Sequence, residues 1–360
     1  MSEPFPESWL TEGIRRIRPA DPCWREQAQR RIHTLTMPPW ALGRLLDLAV
    51  DLAGMTRSLS PAVARRAVVV MAGDHGMVAE GVSAFPQAVT VEMVHNFVRG
   101  GAAINVLARQ ADARVLVVDV GVAGDLRSLA SSEMVRLRRI APGTANMATG
   151  PAMSREQAIR AIETGWETGE ELAETTDLYA TGDMGIGNTT PSSAIVATLC
   201  EVDPDQVTGR GTGVDETIRM HKAQIIRRAI ALNRPDPADP LDVLAKVGGL
   251  EIGAIAGVVL AAAAQRKPVL IDGFISTTGA LLAQRLCPAS ADYMIAAHRS
   301  VEPGHTVALE QLGKTPLLDL DMRLGEGTGA VLAMHLVEAA VGILTDMATF
   351  DEAGVSGGGT

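Results

Sequence analysis

Leu178-Tyr179-Ala180-Thr181-Gly182-Asp183-Met184-Gly185-Ile186-Gly187-Asn188-Thr189-Thr190-Pro191 decides the reading of this chain. The run 178–181 lacks the period-2 alternation of a half-solvated strand, as expected of a strand covered on both faces of a parallel sheet. Glycines at 182, 185 and 187 follow, a residue used where backbone takes unusual dihedrals or approaches a ligand closely. Thr189 or Thr190 suits a helix N-cap and Pro191 suits the first helical turn. The turn is neither the dinucleotide fingerprint GxGxxG nor a P-loop, because no Gly-Lys-Ser/Thr follows it. Its glycines can still expose N–H groups beside a positive helix N-terminus, where a phosphate monoester fits. The plain alternative is a capped helix start after a tight turn.

The same order of elements recurs outward from this stretch. Apolar runs at 67–71, 115–120, 268–271, 293–297 and 317–320 read as five more buried strands. Helical patterns at 89–107, 155–174, 215–232, 252–264 and 278–286 separate them. The alternation predicts an α/β fold: an open, mostly parallel six-stranded sheet flanked by helices, Rossmann-like in plan. Each strand leads into a loop rich in glycine or polar residues, and in such sheets ligands bind beyond the carboxyl ends of the strands. Residues 1–60 hold helical patterns, including 40–59, and no convincing strand. The last thirty residues read as one long helix and a frayed, glycine-rich tail at 356–360. The expected organisation is a large α/β domain, 61–330, and a small helical subdomain built from 1–60 and 331–360.

Composition narrows the function. Hydrophobic residues are 47% and aromatics 3% of the 360, which favours close-packed aliphatic α/β layers. The net charge of −10 and the absence of any basic cluster beyond short pairs such as Arg65-Arg66 speak against nucleic acid. Cys23, Cys200 and Cys287 are odd in number and far apart, with no metal-ligand spacing, which fits a reducing compartment. The acidic start MSEPFPESWL does not resemble a signal peptide, so a cytoplasmic protein is expected. The apolar stretch 330–347 is long enough to cross a membrane, but His335, Glu338 and Asp346 within it favour a core or interface helix.

A second informative segment is Leu324-Gly325-Glu326-Gly327-Thr328-Gly329. A lone acid between glycines is either a solvated residue of a tight turn or a carboxylate held against a ligand, where it can take a proton. Gly209-Arg210-Gly211-Thr212-Gly213 is a further glycine-rich loop, and Lys222 lies about two turns into the helix after it. That lysine is either a solvated helix residue or a point charge for a phosphate. Asp74-His75 follows a strand and invites a metal, yet no second ligand stands at the right spacing, and a structural hydrogen-bonding role fits better. The same holds for His298, Glu302 and His305. Ser83 and Ser276 are not in a GxSxG setting, which disfavours a hydrolase triad. Asp119 and Asp272, each at a strand end, either bond ribose hydroxyls or cap the following turn.

Taken together the loops resemble one family, nicotinate-nucleotide–dimethylbenzimidazole phosphoribosyltransferase, of the lower-ligand branch of cobalamin synthesis. The matching segments are Ala72-Gly-Asp-His-Gly-Met-Val-Ala-Glu-Gly-Val82, Gly100-Gly-Ala-Ala-Ile104, the 182–191 loop, Gly248-Gly-Leu-Glu-Ile-Gly253, Asp272-Gly-Phe-Ile-Ser-Thr-Thr-Gly279, His298-Arg-Ser-Val-Glu-Pro-Gly-His305 and Asp321-Met-Arg-Leu-Gly-Glu-Gly-Thr-Gly329. They run in order across some 260 residues.

The resemblance implies transfer of the 5-phosphoribosyl group of nicotinate mononucleotide to 5,6-dimethylbenzimidazole. The products would be nicotinate and α-ribazole 5′-phosphate, with inversion at C1′ and Glu326 as general base. It implies a phosphate and ribose site at Gly185, Ile186, Gly187, Asn188, Thr189 and Lys222, with Asp183 beside it. It implies a benzimidazole pocket from Ser83, Phe85, Gln87, Met93 and Leu324. No cofactor or metal is expected, the partners are the two small-molecule substrates, and a homodimer is expected. One departure is Asp183, where many relatives carry Glu; the shorter arm puts in question a direct role at the substrates. Other aromatic acceptors, purines or phenols, and a nucleotide N-glycosyl hydrolase with water in place of the base are the competing readings.

Overall fold

The computed structural model describes residues 9–356 apart from Thr212 and Val214. The tail at 357–360, residues 1–8 and Thr212 of the glycine-rich loop therefore lie outside the described residues. The centre of the molecule is β1 (Arg66–Gly73), buried at every position. It pairs in parallel with β2 (Ala113–Gly121) on one side and β4 (Leu178–Met184) on the other. With β3 (Val135–Leu137), β5 (Val269–Ile271) and β6 (Met294–Ala296) the sheet order is β3-β2-β1-β4-β5-β6, every pairing parallel. The chain steps outward from β1 to β3 and then returns to the far side of β1. That reversal opens a crevice at the carboxyl ends of β1 and β4, the place where such sheets bind ligands.

Helices flank this sheet. Leu250–Ala264 is apolar all round and buried along almost its whole length, against β1, β2, β4 and the Arg155–Glu171 helix. The Thr328–Asp346 helix is long and apolar enough to cross a membrane by length and composition alone. It packs one face, including Ala330, Val331, Met334 and Val337, on β4, β5 and the helices Arg44–Thr56 and Ala103–Gln110. Pro22–Ile32 packs on Arg44–Thr56, and an isolated bridge joins Leu35 to Thr349. The buried apolar side chains of these terminal helices are continuous with those around the sheet.

Four details differ from the sequence reading. The run 317–320 is not in the main sheet; β8 (Leu318–Asp319) pairs with β7 (His298–Arg299) in a separate two-stranded ribbon. Leu320 is 57% exposed, so the run never had two faces to bury. The sixth strand is β3, a three-residue edge of which only Val135 is buried, too short and polar to show as an apolar run. The helix read over 89–107 is two helices, Ala88–Val98 and Ala103–Gln110. The break falls at Gly100, whose φ of +75° lies in the left-handed region. The helix after the 182–187 turn spans Thr189–Leu199, with Asn188 rather than a threonine at its N-cap.

Candidate active site

At the crevice lies a cavity of about 340 Å³, lined from the end of β4 by Asp183 through Thr189, except Gly187, and from the end of β5 by Gly273, Phe274 and Ile275. His298, Ser300 and Glu302 reach it from the segment after β6, and residues 323–326 close one wall. Glu326 therefore faces a shared cavity rather than solvent and is only 5% exposed.

The backbone around Glu326 is unusual. Gly325, Glu326 and Gly327 have φ of +86°, +63° and +92°. A left-handed glutamate costs about 1–2 kcal/mol, and it persists because the surroundings over-determine it. Asp272, fully buried at the end of β5, accepts from Gly327 N at 3.1 Å and from Ala330 N at 3.0 Å. It thereby caps the Thr328–Asp346 helix from across the sheet. Thr328 Oγ1 donates to the Gly325 carbonyl at 2.8 Å. Below the loop, Gly182 leaves room: a Cβ there would lie 2.5 Å from the Glu326 carbonyl oxygen.

The Glu326 carboxyl takes its partner from the N-terminus of the Ala103–Gln110 helix, where Ile104 N donates to Oε2 at 3.2 Å. Burial raises its pKa, the Ile104 bond opposes this, and the nearby Asp272 charge adds to it. Asp183 stands beside it. Its Oδ2 accepts from Asn188 Nδ2 at 2.9 Å, while Oδ1 is buried without a partner. Burial, then the charges of Asp272, Glu251 and Glu326, hold this carboxyl well above the usual carboxylate range, against the Asn188 bond. Each acid thus accepts one N–H, and Asp183 has the more like charges around it.

A second cavity of about 50 Å³ adjoins the first, sharing Gly185, Ile186, Asn188, Thr189 and Gly211 with it. Its walls also include Gly187, Ser83, Arg210 and Lys222. Lys222 is not solvated; it is 1% exposed, and its Nζ donates to Thr189 Oγ1 at 2.8 Å. Burial pushes its pKa down to about 8, with Glu302 opposing. Part of the large cavity's wall is apolar, with Phe85, Val89, Met93 and Leu324. Phe85 and Leu324 are 46% and 53% exposed, so this wall has apolar surface free for a flat ring.

The structure thus brings Glu326, Asp183, Gly185, Ile186, Asn188, Thr189, Phe85, Met93 and Leu324 to the large cavity, and Gly187, Lys222 and Ser83 to the small one. Ser83 sits by the lysine rather than on the apolar wall, and its Oγ accepts from Phe85 N at 3.1 Å. Gln87 lines neither cavity. Val89 and Met93, four apart, share the helix face turned inward, and a residue two before Val89 points away from it. Sequence reasoning missed Glu302, Arg323, Val89 and the 273–275 wall. Its signal for Glu302 was the spacing of His298, Ser300 and Glu302, each two apart, which puts them on one side of extended chain.

Several other polar candidates bond within the protein. His75 Nε2 lies 2.9 Å from Glu251 Oε1, both fully buried. Burial works against its charge, but Glu251 and Asp74 raise its pKa. His305 Nδ1 accepts from Ser300 N, so the neutral ring carries its hydrogen on Nε2, bonded to Thr277 Oγ1 at 2.9 Å. Burial, with His298 and Arg299, pushes its pKa down to about 3. Asp119 caps its own turn by accepting from Val122 N at 2.8 Å. Among the described residues no group of three or more His, Cys, Asp or Glu is arranged to hold a metal ion.

The profile of a family described as phosphoribosyltransferase matches residues 17–355. The chain is 64% identical to the nicotinate-nucleotide–dimethylbenzimidazole phosphoribosyltransferase of Syntrophotalea carbinolica, over 97% of this chain and 99% of that protein. It is 52% identical to the enzyme of the same name from Desulfotalea psychrophila, over 97% and 99%. The crystal structure of the Thermus thermophilus enzyme of that name superposes with a TM-score of 0.89 at 50% identity, covering 94% of this chain and all of that one.

Proposed function

This chain belongs to the nicotinate-nucleotide–dimethylbenzimidazole phosphoribosyltransferase family, and on that premise we propose the reaction its site carries out. The donor is nicotinate mononucleotide and the acceptor 5,6-dimethylbenzimidazole, in the assembly of the cobalamin lower ligand. The observation that carries this is a pair of adjoining cavities, the small one lined by a buried lysine and the large one by an apolar wall and a buried carboxylate of raised pKa.

The phosphate lies at the small cavity, against Lys222 and the start of the Thr189–Leu199 helix. The benzimidazole lies against Phe85, Met93 and Leu324. One ring nitrogen attacks C1′ from the face opposite nicotinate; the new C–N bond forms as the bond to the pyridinium nitrogen breaks, and the anomeric carbon inverts. The electron pair leaves with nicotinate, which is already cationic at that nitrogen and needs no acid. The proton on the other ring nitrogen becomes acidic and passes to Glu326. A positioned base of this kind contributes about 10²–10⁴-fold, and holding both substrates in line supplies more of the rate. One carboxylate suffices where most glycosidases use two. Burial and like charges hold Asp183 further towards its protonated form than Glu326, and we leave the base role to Glu326.

We read the protein as a cytoplasmic homodimer with a helical part, residues 1–60 and 331–360, set on an α/β body. Incubation with nicotinate mononucleotide, with and without dimethylbenzimidazole, tests the reaction. Nicotinate release is expected only with the acceptor, together with α-ribazole 5′-phosphate identified by its anomeric proton. Release at the same rate without acceptor makes the protein a hydrolase. Faster transfer to a purine or phenol reassigns the acceptor.

A further inference from the structure

The backbone at 209–211 runs between two buried charges. On one side Glu302, 5% exposed, accepts Gly211 N at 2.7 Å through Oε1. On the other, Lys222 Nζ reaches the Gly209 carbonyl at 3.5 Å while it bonds Thr189. A Cβ at Gly209 would lie 2.2 Å from Glu302 Oε2, so only bare backbone fits against the carboxylate. Glu302 Oε2 is buried without a hydrogen-bond partner. An oxygen in that state is costly unless its charge is used. Glu302 borders the large cavity, Lys222 the small one, and Gly211 both.

We propose that Glu302 is a positioning residue for the donor's phosphate, an inference that rests on the donor reading above: it clips the 209–211 segment over the small cavity and is the counter-charge that keeps Lys222 a cation. The group read in this way is a phosphate monoester dianion, which a neutral amine would no longer attract. Lys222 needs such a partner because burial favours its neutral form, and Glu302 is the charge that opposes this. The other charged groups around it are otherwise engaged. Arg210 and Arg219 turn to Glu216, and Asp203 and Asp205 take Arg227. On the helix Pro240–Val247, Asp242 pairs with Lys246. Arg323 acts on Glu302 itself, as Lys222 does, against the burial that raises the Glu302 pKa.

The sign follows. Lys222 is charged below about pH 8 and neutral above it, so phosphate binding weakens as pH rises through that value. Removing the Glu302 charge lowers the Lys222 pKa and moves the weakening to lower pH. Loss of packing alone weakens binding at every pH and leaves the limb in place.

The experiment is calorimetric titration of inorganic phosphate, and separately of nicotinate mononucleotide, into the whole protein from pH 6 to 9, for wild type and Glu302→Gln. The expected result is a wild-type limb near pH 8, displaced to lower pH by on the order of one pH unit in Glu302→Gln. Coincident limbs in the two proteins overturn the proposal. If Glu302→Gln does not fold, Glu302→Asp carries the test: it keeps the charge, so the limb stays while affinity drops severalfold, and a limb moved to lower pH overturns the pairing. Wild-type protein that binds inorganic phosphate with this profile but no nicotinate mononucleotide supports the pairing and removes the donor reading instead.

Discussion

Glu326 Oε2 accepts the Ile104 amide at 3.2 Å, so the carboxylate on the cavity wall is held by the first turn of a helix, at a residue 222 positions earlier in the chain. The amide favours the ionised form and burial the neutral one, and burial prevails. The base is therefore poised to accept a proton and not so acidic that it refuses one.

Glu326→Gln keeps the shape and an acceptor for Ile104 but cannot take a proton. Turnover is expected to fall by about 10²–10⁴-fold with donor affinity preserved; near-normal turnover would sink the base assignment. The wild-type rate is expected to rise with pH through a value above the ordinary carboxylate range, because only the ionised form is a base. Stability has the opposite sign. The folded state holds this proton more tightly than the unfolded chain, so the cost of the charge is absent below the ordinary value and fully present above the raised one. The variant should therefore melt no lower than wild type at pH 7, by calorimetry.

Asp272→Ala tests the support of that carboxylate. The substitution leaves the Gly327 and Ala330 amides without their acceptor at a buried helix start. A lost cap of this kind costs about 1–2 kcal/mol, and unsatisfied buried amides add to it. The prediction is a lower midpoint in urea together with a fall in kcat larger than the change in either substrate's KM. An unchanged midpoint would show that the cap carries little of the loop's order.

What the sequence revealed about this site, and what it concealed, divides along local and distant contacts. The glycines on either side of Glu326 were visible because a left-handed backbone leaves a local mark. The cap from Asp272 was not, because it comes from another strand end and depends on the sheet order. The same distinction explains β3, whose three residues gain their place from pairing with Val117, Val118 and Asp119 rather than from an apolar run. It explains Lys222, where helix spacing allowed a solvated lysine and only the packing of the 209–211 segment against Glu302 buries it. The five strands read from apolar runs were legible because each is covered on both faces, which selects continuous aliphatic residues. Gln87 lies outside the cavity lining for a helical reason: the face toward the cavity is set by Val89 and Met93.

Lys222→Ala removes the buried ammonium at the small cavity, leaving Arg210 in place, without touching the apolar wall. The KM for nicotinate mononucleotide is expected to rise at least tenfold at pH 7, with little change for dimethylbenzimidazole. The difference should shrink above about pH 8, where the wild-type ammonium is itself losing its proton. Initial-rate kinetics across pH measure this, and equal effects on both substrates would remove the phosphate role.

Gly182→Ala addresses the contact between β4 and the loop. Gly182 pairs with Val70 in the middle of the sheet, and its missing side chain is what lets the 326 backbone lie directly on β4. The added methyl would sit 2.5 Å from the Glu326 carbonyl oxygen and 2.8 Å from Gly327 N, backbone atoms with no rotamer to move. Overpacking of this kind costs about 1–3 kcal/mol, small enough for a sheet of this size to stay folded. The strain falls between β4 and the 325–327 loop, and the loop should yield before the sheet does. Yielding lifts Glu326 from the Ile104 amide and from the cavity. The expected outcome is a modest fall in melting temperature with a loss of kcat approaching that of Glu326→Gln, and donor binding retained because Lys222 and the 185–189 turn are untouched. A variant that melts lower but turns over normally would mean that the loop tolerates the displacement, and that the carboxylate is placed by the Asp272 cap alone.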